Sequence, residues 1–376
     1  MATPAPGPLQ AERDRAAQDP LAQARVRIRE ARLTGDPGFY TLAESAVDCA
    51  MLRDPKDLEA RRLRVHLLIQ FHKFAEAEVA AQALQQGPTK SANFLDYALY
   101  GDALMEQGKL DEAGAAYQVA VDIRPGLEMY DRIGWLRWLW GDVKGAFEMQ
   151  ALAVSAGSSL DPEPLAWVLT RMGWLHAITG QPSPQIEEAL AAVPDYPAAH
   201  FARGRVRLAA GDLPGAIEDL KRAGPTVEAT RALAEAGAMD AAGRPVAVSA
   251  VAQQDPRGYA IFLADSGALE DQKKAVELLQ VELDNRKDAV TLMALAYARF
   301  RSGADHRVCG AEARSVLATG IVEPRVLLQA GLIVGDTVPV SKEARDLLER
   351  ALDSGPGLLP SERKRAEVTL ARSPVP

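Results

Sequence analysis

The sequence predicts an all-α fold, an α-solenoid of about nine helical hairpins that ends in a C-terminal capping helix. Three observations support this prediction. Hydrophobic residues make up 48% of the 376 residues and charged residues 25%, which is typical of a chain that folds nearly throughout. Runs of alternating β-branched residues are scarce, so strands have little support. Small residues recur at fixed spacings, which is the signature of a repeat architecture.

The repeated unit is clearest in the middle of the chain, where six positions are separated by 7, 5, 4, 3 and 5 residues. These positions are Gly101, Gly108, Ala113, Tyr117, Ala120 and Pro125. The spacing 7, 5, 4 and 3 returns from Gly134 to Ala153 and again from Gly204 to Ala223. Partial copies with the spacing 4, 3 and 5 start at Ala43 and Ala344. One helical hairpin is therefore repeated along the chain.

Each position of the unit has a physical role. A small residue at the centre of the first helix, with small residues on the second, lets the two backbones approach closely. Gly108 can adopt a positive φ and end the first helix, and Asp111 is placed to cap the second. Pro125 closes the hairpin because proline is not tolerated inside a helix.

The pattern resembles the tetratricopeptide repeat family, most closely in DYALYGDALMEQGKLDEAGAAYQVAVDIRP, residues 96–125. Further units lie around residues 58 to 89, 127 to 157 and 197 to 225. The layout is also similar to long bacterial tetratricopeptide repeat proteins of unassigned function. The resemblance covers nearly the whole chain and implies a right-handed solenoid.

We expect residues 1–19 to be a flexible Pro-rich segment and residues 20–376 to be a single solenoid. Degenerate hairpins are expected at 226–256, 257–287 and 288–322, where the spacing is only partly kept. A bend is expected near 158–184, because SSLDPEP adds residues there and the next second helix is short. The stretch LLPSERKRAEVTLARS predicts a polar helix that caps the solenoid core.

Charge and hydropathy exclude some classes of partner. The net charge of −8 argues against sequence-independent binding to nucleic acid, which needs a basic surface. No apolar run approaches the roughly 20 residues that span a bilayer, and the N-terminus lacks an apolar signal core. We expect a cytoplasmic protein, the alternative being an exported protein or lipoprotein whose signal has been removed. Cys49 and Cys309 are expected to be two buried thiols rather than a disulfide.

The sequence gives no support for an enzyme. It contains no GxGxxG, no Gly-rich loop ending in Lys and Ser or Thr, no HExxH and no GxSxG. The histidines are scattered, and the spacing of six between His66 and His72 does not place them on one helix face. We therefore predict no catalytic residue, no metal and no cofactor, and the oligomeric state stays open.

The most distinctive surface is predicted on the first helices of the middle hairpins, which line the inner side of such a stack. Four of the five tryptophans share one stripe there with a phenylalanine, edged by arginines, and Trp and Arg dominate interface energetics. The predicted contact residues are Trp135, Trp138, Trp167, Trp174, Phe201, Arg132, Arg171 and Arg205. The alternative is that the tryptophans pack as ordinary core between adjacent hairpins.

We expect this groove to receive an extended or helical segment of another protein, so that the chain acts as a scaffold or adaptor. The Lys and Asn of the carboxylate clamp found in chaperone-binding relatives are not matched, because Tyr97, Ala98 and Asp102 occupy those positions. A carrier that holds an apolar small molecule or lipid in the same groove is the main alternative, and a subunit that stacks end to end is another.

The alignment of the repeats that defines this groove also places four polar residues on the helix face that should be apolar. Either their aliphatic stems extend to the edge of that face, or the alignment slips by one residue there. They are Arg137, His200, Arg203 and Arg207.

Overall fold

The computed structural model describes residues 8–86, 93–240, 242–336 and 339–372. Within these ranges the chain forms 21 α-helices, two 3₁₀ helices and no strand apart from an isolated bridge between Met239 and Pro245. The all-α prediction is confirmed. The chain divides into two compact units, Met1–Pro125 and Gly126–Pro376, where the sequence suggested a single solenoid.

The first unit contains seven helices. They are α1 Pro8–Ala16, α2 Pro20–Thr34, α3 Gly38–Arg53, α4 Leu58–Gln70, α5 Phe74–Gln85, α6 Phe94–Glu106 and α7 Leu110–Ile123. α1 packs on α2, and its Arg13 pairs with the buried Glu30. The segment expected to be flexible is thus helical from residue 8 to residue 16, and this ion pair joins it to α2. Residues 1–7 lie outside the described part of the chain.

The second unit begins with regular hairpins and ends with a single helix. Its helices are α8 Leu127–Leu139, α9 Val143–Ser155, α10 Pro162–Ile178, α11 Gln185–Ala192, α12 Pro197–Ala209, α13 Leu213–Arg222, α14 Val227–Glu235, α15 Pro256–Ala264, α16 Leu269–Glu282, α17 Ala289–Arg301, α18 His306–Leu317, α19 Pro324–Val334, α20 Lys342–Asp353 and α21 Pro360–Ala371. The 3₁₀ helices are Val248–Val251 and Gly355–Gly357.

Sequential helices pair as the repeat predicts. Across the described ranges nine hairpins form: α2/α3, α4/α5, α6/α7, α8/α9, α10/α11, α12/α13, α15/α16, α17/α18 and α19/α20. The prediction for 226–256 was wrong in its second half, because α14 is followed by a loop and a 3₁₀ helix rather than by a second α-helix. Gly237 and Gly243, both with positive φ, and Pro245 interrupt the helix there. α11, with 8 residues, is short as expected, and the bend stays a prediction.

The spacing of small residues that recurs along the chain results from close packing between the two helices of each hairpin. At Gly101 an added Cβ would overlap the ring of the fully buried Tyr117. At Gly204 it would lie 2.8 Å from Cγ of Leu220. Gly108 adopts φ 74° after α6, as the turn requires. The capping prediction was wrong for Asp111, which lies inside α7 behind the N-cap Lys109.

The two cysteines differ in environment. Cys309 is buried as expected, and burial raises the pKa of its thiol. Cys49 was predicted to be buried but is exposed, because it lies on the outer side of α3 while Ala46, Val47 and Ala50 face the core. Both thiols are free.

Candidate protein-binding surface

The aromatic residues of α8 and α10 are organised around one arginine. The guanidinium Cζ of Arg171 lies 4.7 Å from the ring centroid of Trp135 and 4.7 Å from that of Trp167. Trp167 and Arg171 are four residues apart on α10, so they share a face of that helix, and Trp135 approaches from the neighbouring α8. Each such cation–π contact contributes about 0.5–2 kcal/mol. We call this arrangement the Trp135–Arg171–Trp167 stack.

A buried carboxylate holds the stack in place. Asp131, one turn before Trp135 on α8, accepts a hydrogen bond of 3.0 Å from the indole Nε1 of Trp167. Its carboxylate also lies 3.4 Å from Nη1 of Arg171. The other oxygen accepts a hydrogen bond of 3.1 Å from Nε2 of Gln150 on α9. The indole N–H of Trp167 and the guanidinium of Arg171 both bind this carboxylate, so the two side chains of α10 are held in fixed positions.

The stack is open to solvent on one side. The Trp167 side is the most accessible, since this residue is 39% exposed, while Trp135 and Arg171 are half-buried. A large aromatic ring that is anchored by a hydrogen bond and still exposed is typical of protein interaction sites. Among the predicted contact residues, Trp135, Trp167 and Arg171 thus lie together on a surface.

The assignment of Trp138 to this surface was wrong. Trp138 is 3% exposed and packs among Ala146, Leu175 and Ile178. Three residues after Trp135, its side chain points about 60° away around α8, toward the hairpin core. Trp135 and Trp174 pack partly against the same cluster. The alternative of ordinary core therefore holds for Trp138.

A second aromatic group lies on α10 and α12 and is covered by the chain itself. Cζ of Arg205 lies 5.8 Å from the ring centroid of Trp174 and 5.9 Å from that of Phe201. Nη2 of Arg205 donates a 2.6 Å hydrogen bond to the carbonyl of Pro356. Arg205 is 3% exposed, and burial lowers the pKa of its guanidinium against the opposing charges of Glu362 and Glu228. The prediction that Arg205 edges an open groove was therefore wrong, because the C-terminal segment occupies that position.

Arg132 makes a local contact on α8. Its Nη1 donates a 3.0 Å hydrogen bond to the carbonyl of Glu128, one turn earlier on α8. The fifth tryptophan, Trp140, was not predicted as a contact but is 37% exposed at the end of α8. Nothing in the repeat spacing marks it, since it follows the last turn of the helix.

The polar residues of α12 that conflicted with the predicted stripe surround a buried carboxylate. Asp219 of α13 is 1% exposed and lies 2.9 Å from Nδ1 of His200. Arg203 donates to it at 2.7 and 2.8 Å, and Arg207 lies 2.9 Å away. Burial works to raise the pKa of Asp219, but the hydrogen bonds from Arg203 and His200 outweigh it and lower the pKa. On α12 the stripe is polar because it packs on an acid. The fourth residue of the set, Arg137, lies on α8, where its Nη1 is 3.5 Å from a carboxylate oxygen of Asp142.

The described part of the chain shows no metal site and no membrane-spanning helix. It holds no group of three or more His, Cys, Asp or Glu arranged to hold a metal ion. None of its helices combines the length and hydropathy of a membrane-spanning segment. A small cavity of about 260 Å³ lies between α1 and α2 and is lined by Arg13, Ala16, Ala17, Gln23, Val26 and Arg27.

A family model described as tetratricopeptide repeat matches residues 97–128 and 183–228. These stretches hold α6/α7 and α11 to α13, whose glycine spacing and close helix contacts are described above. These two stretches are therefore tetratricopeptide repeats. No curated protein is significantly similar to it.

Several solved structures are similar to this chain at low identity. Yeast Tom70 shares 12% identity, with 97% of this chain and 95% of that chain covered and a TM-score of 0.42. The human IFIT1 dimer with PPP-AAAA shares 15%, covering 92% and 77%, with a TM-score of 0.43. A tetratricopeptide repeat protein from Parabacteroides merdae shares 12%, covering 84% and 98%, with a TM-score of 0.26. These values are too low to bear on function.

Proposed function

We propose that this tetratricopeptide repeat protein is a scaffold or adaptor that binds a segment of a partner protein, and that the Trp135–Arg171–Trp167 stack is a centre of that contact. The observation that supports the proposal is the anchored, exposed Trp167 beside a guanidinium already fixed by Asp131. Binding to such a surface loses little side-chain entropy, because the three side chains are held in place beforehand.

The stack also indicates what kind of segment binds. Trp167 offers an indole face, and Arg171 offers N–H donors whose charge is only partly balanced by Asp131 at 3.4 Å. A partner segment that places an apolar or proline side chain on the indole and a carbonyl or carboxylate near Arg171 satisfies both groups. The proposal assigns no catalytic residue and needs no cofactor.

The test is a quantitative affinity capture from an extract of the native cells. The baits are the wild-type protein, Trp167→Ala, and Trp140→Ala as a matched control, since Trp140 is exposed to a similar extent but lies outside the stack. Circular dichroism confirms that all three baits are folded. We expect at least one partner to be lost with Trp167→Ala and retained with Trp140→Ala. Equal recovery of every partner by both variants would refute the role of the stack.

A further inference from the structure

The segment from Ser354 to Ala371 crosses to hairpins that are far from it in sequence. The 3₁₀ helix Gly355–Gly357 contacts α10 and α12, and the carbonyl of Pro356 accepts the hydrogen bond from Arg205, 151 residues away. In a repeat stack each hairpin normally contacts only its neighbours. A helix that only capped α19/α20 would not need these contacts.

Apolar side chains of the segment enter cores on both sides. Leu359 is 1% exposed and belongs to the cluster formed by α12, α13 and α14, with Leu208, Leu220 and Leu233. Leu358, 2% exposed, packs instead in the cluster built by α15 to α20. Leu359 thus anchors the segment in a pocket between helices that are distant from it in sequence.

Charge then fixes the start of α21. Oε1 of Glu362 lies 3.1 Å from Nη2 of Arg231 on α14 and 3.0 Å from Nε of Arg325 on α19. Its other oxygen accepts a 2.8 Å hydrogen bond from the backbone N–H of Leu359, which ties the glutamate to the first turn of the helix. Glu362 is 1% exposed, so a charge has been taken out of water and is matched by two guanidinium groups.

Two further contacts extend the same docking. The backbone N–H and the hydroxyl of Ser361 donate to Glu235 at the end of α14, at 2.8 and 2.7 Å. Nη2 of Arg365 lies 2.8 Å from Oδ1 of Asp265, which follows α15. The carbonyl of Pro356, the side chain of Leu359 and the carboxylate of Glu362 therefore each bind a different group of the distant helices. Peptide ligands are recognised by such a combination of contacts.

We propose that the segment Ser354–Ala371 is an internal ligand: it occupies the first-helix face of α12 and α14, and a partner helix with leucine at its N-cap and glutamate three residues later competes for that face. In its docked position the segment covers Arg205 and closes that part of the inner surface. Release of the segment opens the face to a partner. This proposal does not depend on the Trp135–Arg171–Trp167 stack.

The first test is hydrogen exchange of the full-length wild-type protein, followed by mass spectrometry. An internal ligand opens without unfolding the hairpins, so we expect amides of α21 to exchange at least about 100-fold faster than those of α17 and α19. Exchange of all three helices at one rate, with one dependence on denaturant, would show that α21 opens only in global unfolding and would overturn the proposal.

The second test adds a fluorescent peptide of residues 354–372 to the full-length protein. In Glu362→Gln the internal copy loses its ion pairs, so we expect the peptide to bind at least 10-fold more tightly than to wild type, where the face is occupied. A peptide with Gln in place of its own glutamate should bind at least 10-fold more weakly. Glu367→Gln is the control, because Glu367 is exposed on the same helix.

The outcomes separate this proposal from the scaffold function, because the probe is the chain's own peptide and no outside partner enters. Folded Glu362→Gln protein that fails to bind the peptide, or binds both peptides equally, would contradict an internal ligand. Should Glu362→Gln not fold, the exchange rates of the wild-type protein decide the matter alone.

Discussion

Arg231 in α14 and Glu362 in α21 form a buried ion pair of 3.1 Å, although 131 residues separate them in sequence. Arg231 also binds Asp265, at 2.8 Å, and Glu362 also binds Arg325. The pair therefore belongs to a network that joins α14, the end of α15, α19 and α21. Removal of Glu362 takes one buried partner from Arg231, which keeps Asp265, and one from Arg325, which keeps Glu228. Loss of a buried partner destabilises a fold far more than loss of a surface ion pair does.

Glu362→Ala is expected to lower the free energy of unfolding of the second unit by about 3–5 kcal/mol, because Arg231 and Arg325 both lose a buried partner. The measurement is urea unfolding of the full-length protein. Glu367→Ala, on the exposed side of α21, should change the same quantity by about 0.5 kcal/mol or less. Similar losses for the two variants would contradict the network.

The same carboxylate predicts a dependence of stability on pH. Burial works to raise the pKa of Glu362, but Arg325 and Arg231 outweigh it and lower the pKa from 4.5 to about 2. A group whose pKa is lower in the folded state stabilises the fold above its unfolded pKa and loses that contribution as the pH falls through the folded pKa. The difference in unfolding free energy between wild type and Glu362→Gln should therefore be constant above about pH 5 and shrink between pH 4.5 and 2. A difference that does not change over this range would exclude an ionised Glu362 as its cause.

Close packing at the helix centres predicts intolerance of larger side chains. Gly204→Val is expected to destabilise the second unit by about 2 kcal/mol, because a Cβ there would lie 2.8 Å from Leu220. Gly267→Val is the control in the same unit, since an added Cβ at Gly267 has no atom within 4 Å. Thermal unfolding of both variants checks this, and an equal shift of Tm would show that the helices are not in close contact.

The anchoring of Trp167 by Asp131 can be observed directly. In a ¹⁵N-edited spectrum, the indole Nε1–H signal that disappears in Trp167→Phe is assigned to Trp167. Asp131→Ala should move this signal, because the indole loses its 3.0 Å acceptor. The signal of Trp140, assigned in the same way, should stay in place. An unchanged Trp167 signal would mean that Asp131 does not hold the stack.

The hairpins were predictable because their packing and their turns require particular residues at positions that are close together in the sequence. Gly101 must lie against Tyr117, and the turn at Gly108 needs a positive φ, so their spacing recurs wherever a hairpin recurs. The same reasoning failed at 226–256. There the spacing is only partly kept, and the loop after α14 takes the place of a helix.

The candidate surface was predictable only in part. Helical periodicity brought Trp135, Trp167 and Arg171 to one face, and they lie in one stack. It could not show that Trp138 turns into the core. Nor could it show that Pro356 covers Arg205, because that contact spans 151 residues and depends on the path of the whole second unit.

The buried acids were the residues that sequence reasoning missed. Asp131 and Asp219 look like ordinary surface acids in the sequence, yet they organise the stack and the polar face of α12. The available signal was the excess of arginine and histidine on the stripe of α12, since buried cations need an anion nearby. Only the fold identifies which anion it is.

The most direct test of the scaffold function is the dissociation constant of a purified, captured partner for three proteins: wild type, Trp167→Ala and Trp140→Ala. A tryptophan at the centre of an interface commonly contributes 2 kcal/mol or more, so we expect Trp167→Ala to weaken binding by about 30-fold and Trp140→Ala by about twofold or less. Equal dissociation constants for wild type and Trp167→Ala, with both folded, would contradict the assignment of the stack as the binding surface.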